Sequence, residues 1–132
     1  DRYHSKFSKI KHFLKVASSV GARRGHVKTL LGRKIRFPDK DKSFKAGALI
    51  FQGSASDIMK KKIVEFNQDS TLQSLNCKLL LIVHDEFNFV VPTQNKDKSL
   101  EIISNIMQDV PELNIPVRAS GGSGNSWYEA SI

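Results

Sequence analysis

The stretch LLLIVHDE, residues 79–86, runs directly into FNFVV, residues 87–91. A large apolar run leads straight into His84-Asp85-Glu86, and a second β-prone run leaves on the other side. Two such runs around a short polar break predict a hairpin with arms at 79–83 and 87–91, closed by Pro92. With the arms buried, adjacent acids at the tight turn carry a desolvation cost unless a cation or hydrogen-bond donors compensate. A divalent metal is one such compensator, and hard carboxylate oxygens suit Mg²⁺. An isolated His-Asp-Glu reads as no more than a polar hairpin tip. The other segments of the chain decide against that reading.

Upstream, Phe7, Ile10, Phe13, Leu14 and Ala17 recur at helical spacing and predict a helix over 5–24, ended by Gly21 and Gly25. Short β-prone arms at 27–31 and 34–37 flank Gly32-Arg33, a second hairpin, stopped by Pro38. A long helical region follows over 43–67, with Ile50, Ala55, Ile58, Met59, Ile63 and Phe66 as its buried stripe and a bend expected at Gly53. Residues 69–76 read as a polar loop and 99–110 as a helix ended by Pro111. Ile115-Pro116-Val117 reads as an edge strand, because Pro116 has no N–H for a central ladder. Helices followed by antiparallel strands predict an α+β fold.

The 132 residues fit one ordinary domain with a single core. One cysteine, Cys77, excludes an internal disulfide and a cysteine-rich metal site; it is expected to line the core beside Leu79. There is no long apolar run and no signal-peptide pattern, so the chain reads as soluble and intracellular, with no membrane partner. The net charge of +8 is divided unevenly: residues 1–62 hold 17 Lys/Arg against 4 Asp/Glu, and residues 63–132 hold 4 against 9. Such asymmetry points the first half toward a polyanion. Arg33, Lys34 and Arg36 crowd the first hairpin, with Lys28 just before it, and phosphate contact is the natural use of this cluster. Lys45 is a further candidate. Of Lys60, Lys61 and Lys62, on successive helix positions, at least one is expected to be plain surface.

Four segments together resemble family A DNA polymerases: GHVKTLLGRK at 25–34 with Phe37-Pro38-Asp39, FQGSASDIMK at 51–60, LLLIVHDE at 79–86, and GNSWYEA at 124–130. They stand in the order and spacing of that family's C-terminal palm, over nearly the whole chain. The resemblance implies an antiparallel palm hairpin carrying the acidic turn, packed against long helices: a partial polymerase palm/fingers. It implies that Asp85 ligates metal, that His84 contacts the primer end, that Glu86 supports the site and that Gln52 contacts the primer-template. The implied chemistry is nucleotidyl transfer from deoxynucleoside triphosphates to a primer 3′-OH, with two Mg²⁺ ions held roughly 3.5–4 Å apart. Two departures stand out: Ala48 replaces the family's usual Asn, and His26 its usual Tyr.

The family's first palm aspartate and its fingers helix have no counterpart here. Residues 1–132 are therefore expected to be the C-terminal part of a polymerase domain, inactive alone and completed by an upstream portion or another chain. A start at Asp rather than Met fits a fragment. The competing readings are a non-catalytic basic DNA-binding module and a structural subunit of a replication assembly. The acidic turn separates them, since a pure binding module gains nothing from buried adjacent acids.

Overall fold

The computed structural model describes residues 2–131, so the outermost positions of the expected 1–132 domain lie outside the described residues. In chain order the elements are α1 (Arg2–Lys6), α2 (Ser8–Arg24), β1 (His26–Lys28), β2 (Lys34–Arg36), a 3₁₀ helix (Lys40–Lys45), α3 (Ala46–Gln68), α4 (Ser70–Ser74), β3 (Lys78–Val83), β4 (Glu86–Val90), a 3₁₀ turn (Thr93–Asn95), α5 (Lys96–Gln108) and α6 (Trp127–Ala130). The expected α+β composition holds. The chain forms two compact units, with the division after Ile58, inside α3.

The first unit is built around Ala17, Val27, Phe37 and Ala46, with Phe13, Val20, Ile35, Leu49 and Ile50 packed against them. Helix α2 ends where Gly25 takes a left-handed conformation and its N–H donates to the Gly21 carbonyl. The β1–β2 hairpin pairs His26 with Arg36, Val27 with Ile35 and Lys28 with Lys34. Period-two alternation therefore sends Val27 and Ile35 into the core and the basic residues to the opposite face. Only part of the expected α2 stripe is covered: Ala17 is buried, whereas Phe7, Ile10 and Leu14 are exposed.

Helix α3 is continuous, so the bend expected at Gly53 does not occur. The glycine serves a close approach instead. A Cβ there would lie 2.9 Å from both Ile35 Cδ1 and Thr29 Cγ2. The hairpin can seat on this turn of the helix only because the side chain is missing.

The second unit centres on Phe66, buried and edge-on to Phe87 and Phe89 at ring separations of 5.1 and 5.0 Å. Full burial of such a ring contributes roughly 1.5–3 kcal/mol. The β3–β4 register runs from Lys78↔Val90 to Val83↔Glu86, with an irregularity between Leu79 and Leu81. The expected arms thus form: β3 begins one residue earlier than expected and ends as expected, and β4 is displaced by one residue toward the turn. The expected polar loop contains α4, whose cap is the Asp69 carboxylate accepting the Leu72 N–H at 2.8 Å. No strand forms at Ile115-Pro116-Val117. Cys77 is half-buried, and burial pushes its thiol pKa up.

The buried stripe of α3 differs from the apolar spacing. Ala55 is exposed, while Asp57 and Lys62 are buried. Lys62 is 1% exposed; its ammonium donates to Glu65 Oε2 at 2.6 Å and to the Asp109 carbonyl at the end of α5. Beside it, Lys61 pairs with Glu112 at 2.5 Å. That hydrogen bond raises the Lys61 pKa and holds the Glu112 carboxyl below its usual range. Of the lysine triplet, only Lys60 is exposed.

Candidate nucleic-acid interface and acidic turn

In the first unit, the two strands of the basic hairpin place like charges side by side. Lys28 and Lys34 are directly opposite each other, and both are exposed, as is Arg36. Like charges at paired positions repel, and an anion laid across them removes that penalty. Next to Arg36, His26 is held by an Nδ1–H bond to the Arg24 carbonyl at 3.1 Å. Lys45 is exposed, with its ammonium 5.7 Å from the Phe44 ring centroid.

Arg33 differs from its basic neighbours. Its Nε–H donates to Asp57 Oδ1 at 2.6 Å, and an Nη2–H donates to the Gly53 carbonyl at 3.2 Å. Asp57 Oδ2 also accepts the Thr29 hydroxyl at 2.7 Å, and Thr29 Oγ1 accepts the Arg33 N–H at 3.1 Å. One residue on, the Leu30 N–H donates to Ser54 Oγ at 2.8 Å. The hairpin tip is thereby tied to the turn of α3 that carries Gln52, itself exposed. Asp57 is not among the residues that the sequence singles out. The readable signal is spacing: Gly53 and Asp57 lie one helical turn apart, on the face where the hairpin seats.

In the second unit, His84 and Asp85 form the two-residue turn between β3 and β4, and Glu86 opens β4. His84 has φ +55°, at the hairpin position where glycine is preferred. The expectation of buried acids is corrected: His84, Asp85 and Glu86 are all exposed. The reason is that Phe66 packs on Phe87 and Phe89 while Leu80 (65% exposed) and Ile82 (42%) remain open. Desolvation therefore does not act on these acids here. Glu86 is nonetheless engaged: its Oε1 accepts the Trp127 indole N–H at 2.8 Å and the Asn88 amide at 2.9 Å. Among the described residues no three His, Cys, Asp or Glu side chains form a metal-holding group.

Residues 1–129 match DNA polymerase family A. The chain belongs to that family. It is 34% identical over 119 residues, 89% of this chain, to "DNA polymerase DpoZ" of Acinetobacter phage SH-Ab 15497. It is 27% identical over 139 residues, 98% of this chain, to DNA polymerase I of Bacillus caldotenax. The chain spans 19% and 16% of those two proteins. Among solved structures it superimposes on the polymerase domain of Pol1 from M. smegmatis, in complex with DNA primer-template and dNTP. The TM-score is 0.87 at 27% identity, covering 97% of this chain and 24% of that one. The expected partial palm/fingers fold of a family A polymerase is thus correct. No described helix is long and apolar enough to cross a membrane.

Proposed function

We propose that this chain is the C-terminal palm segment of a template-directed DNA polymerase, adding deoxynucleotides to a primer 3′-OH. The observation that carries the reading is the His84-Asp85-Glu86 turn, an exposed carboxylate on a two-residue hairpin with a non-glycine residue at φ +55°. Backbone strain of this kind costs of order 1–3 kcal/mol and clusters at functional sites. The family membership and the likeness to a polymerase captured with primer-template and dNTP support the same reading.

Asp85 fits a hard divalent ion as a single ligand: its carboxylate is exposed, and it has no ion-pair partner among the described residues. Its chemistry suits Mg²⁺, with a second carboxylate supplied from the portion upstream of this segment. Ions bound there would stabilise the charge that develops during transfer. Asp85 would hold one side of that site, and His84 would present its imidazole to the primer end. Glu86 would brace the turn. Gln52, whose amide can both donate and accept, would reach the primer-template minor groove. Lys28, Lys34, Arg36 and Lys45 would hold phosphates. Arg33 would contribute mainly by anchoring the hairpin that carries them, leaving part of its guanidinium for phosphate.

One carboxylate does not build a two-ion site, so this chain alone is expected to be inactive. Primer extension tests both halves of the reading. The isolated chain should incorporate nothing above background, and adding the upstream portion should restore template-dependent synthesis. Incorporation by the chain alone would refute it.

A further inference from the structure

We propose that Trp127 is a positioning residue for the acidic turn, holding Glu86 by its Oε1 so that Asp85 is the acid freer to take a cation. The inference rests on the polymerase reading above and assigns different tasks to the two adjacent acids. Glu86 Oε1 receives two donors, the indole N–H of Trp127 at 2.8 Å and the Asn88 amide at 2.9 Å. Asp85, its neighbour, has no ion-pair partner among the described residues.

The closing segment is built to deliver that indole. Ser126 caps α6, its hydroxyl accepting the Glu129 N–H at 3.3 Å, and Glu129 reaches back to the Asn125 N–H at 2.7 Å. These reciprocal bonds fix a helix of only four residues, far too short to persist by propensity. Gly124 is required by the same fold-back, since a Cβ there would lie 2.8 Å from the Glu129 carbonyl carbon. Trp127 itself is half exposed, so its hydrogen bond to Glu86, rather than burial, orients the ring. A carboxylate occupied by two N–H donors has less lone-pair capacity for a metal than a free one. With Trp127 absent, Glu86 keeps only the Asn88 donor and is freer to compete with Asp85 for the ion.

Trp127 is the only tryptophan in the chain, so its emission reports the contact directly. In the 132-residue chain, Glu86→Ala should shift the emission maximum and raise acrylamide quenching, whereas Asp85→Asn should change neither. Both positions are exposed, so folding is preserved, and circular dichroism checks this. In a polymerase completed by the upstream portion, Trp127→Phe should lower kcat and move the midpoint of Mg²⁺ activation, with the Kd for primer-template unchanged. The same substitution on a Glu86→Ala background should have no further effect, because the hydrogen bond it removes is already gone. Additive losses in the double variant, or emission indifferent to Glu86→Ala, would overturn the proposal. Both outcomes leave the role of Asp85, and with it the polymerase reading, to be tested separately.

Discussion

Arg33 and Asp57, 24 residues apart in sequence, meet with Nε and Oδ1 2.6 Å apart, the carboxylate buried and the guanidinium half exposed. This pair fastens a surface hairpin to the helix that presents Gln52. Asp57→Ala removes the acceptor of two side-chain donors and should destabilise the chain by about 1–3 kcal/mol. Arg33→Ala removes the Nε–H bond to Asp57 and the Nη2–H bond to the Gly53 carbonyl and should also destabilise the chain by about 1–3 kcal/mol. Urea unfolding at constant m reads both. If either substitution is neutral, the hairpin is held elsewhere.

The basic face of the hairpin is separable from that anchor. Replacing Lys28, Lys34 and Arg36 with Ala, and leaving Arg33 in place, should weaken DNA binding across all sequences. The slope of log K against log salt should flatten by about two to three units if all three meet phosphate. Thermal stability should stay level or rise, since the Lys28–Lys34 repulsion is removed. A titration at several salt concentrations decides it; an unchanged slope would make this face plain solvated surface.

Lys62 is expected to matter for folding rather than for nucleic acid. Its ammonium meets the Asp109 carbonyl at the C-terminal end of α5, where a cation also complements the helix dipole. Lys62→Met should lower unfolding free energy by about 1–3 kcal/mol. Lys60→Met, on the exposed face, should stay within about 0.5 kcal/mol of the parent. Equal effects of the two would show that Lys62 is not the structural member of the triplet.

The Lys61–Glu112 pair should make a pH-dependent contribution. Glu112 has a folded pKa below its ordinary value of 4.5. Its stabilisation is therefore fully present above the unfolded pKa and is lost as pH falls through the lower folded one. The stability difference between the parent and Glu112→Gln should be constant near neutrality and vanish on acidification. Denaturation midpoints at stepped pH give the curve; a difference that grows in acid would contradict the sign.

The hairpins, the helices and the asymmetry of charge were legible because each leaves a periodic or compositional trace. Val27 and Ile35 alternate with basic residues, and the apolar run at 79–83 is bounded too closely for an ordinary helix. What stayed hidden depends on partners distant in the chain. Gly53 reads as a helix breaker because its reason, the approach of Ile35 and Thr29, lies elsewhere. Asp57 and Lys62 look like surface charges until Arg33 and the end of α5 are brought to them. The acids of the turn look buried because their flanks are apolar, yet Phe66 covers Phe87 and Phe89 while Leu80 and Ile82 stay exposed. Trp127 carries no local clue that it reaches Glu86, 41 residues away.

Single-turnover incorporation reads whether Asp85 is a metal-binding carboxylate of nucleotidyl transfer. The parent and Asp85→Asn are compared in a polymerase completed by the upstream portion, with primer-template affinity measured in parallel. The rate constant should fall by about two powers of ten or more, equivalent to ~3 kcal/mol of transition-state stabilisation, while affinity stays essentially level. A near-parental rate, or equal losses in rate and affinity, would show the acidic turn to be structural only.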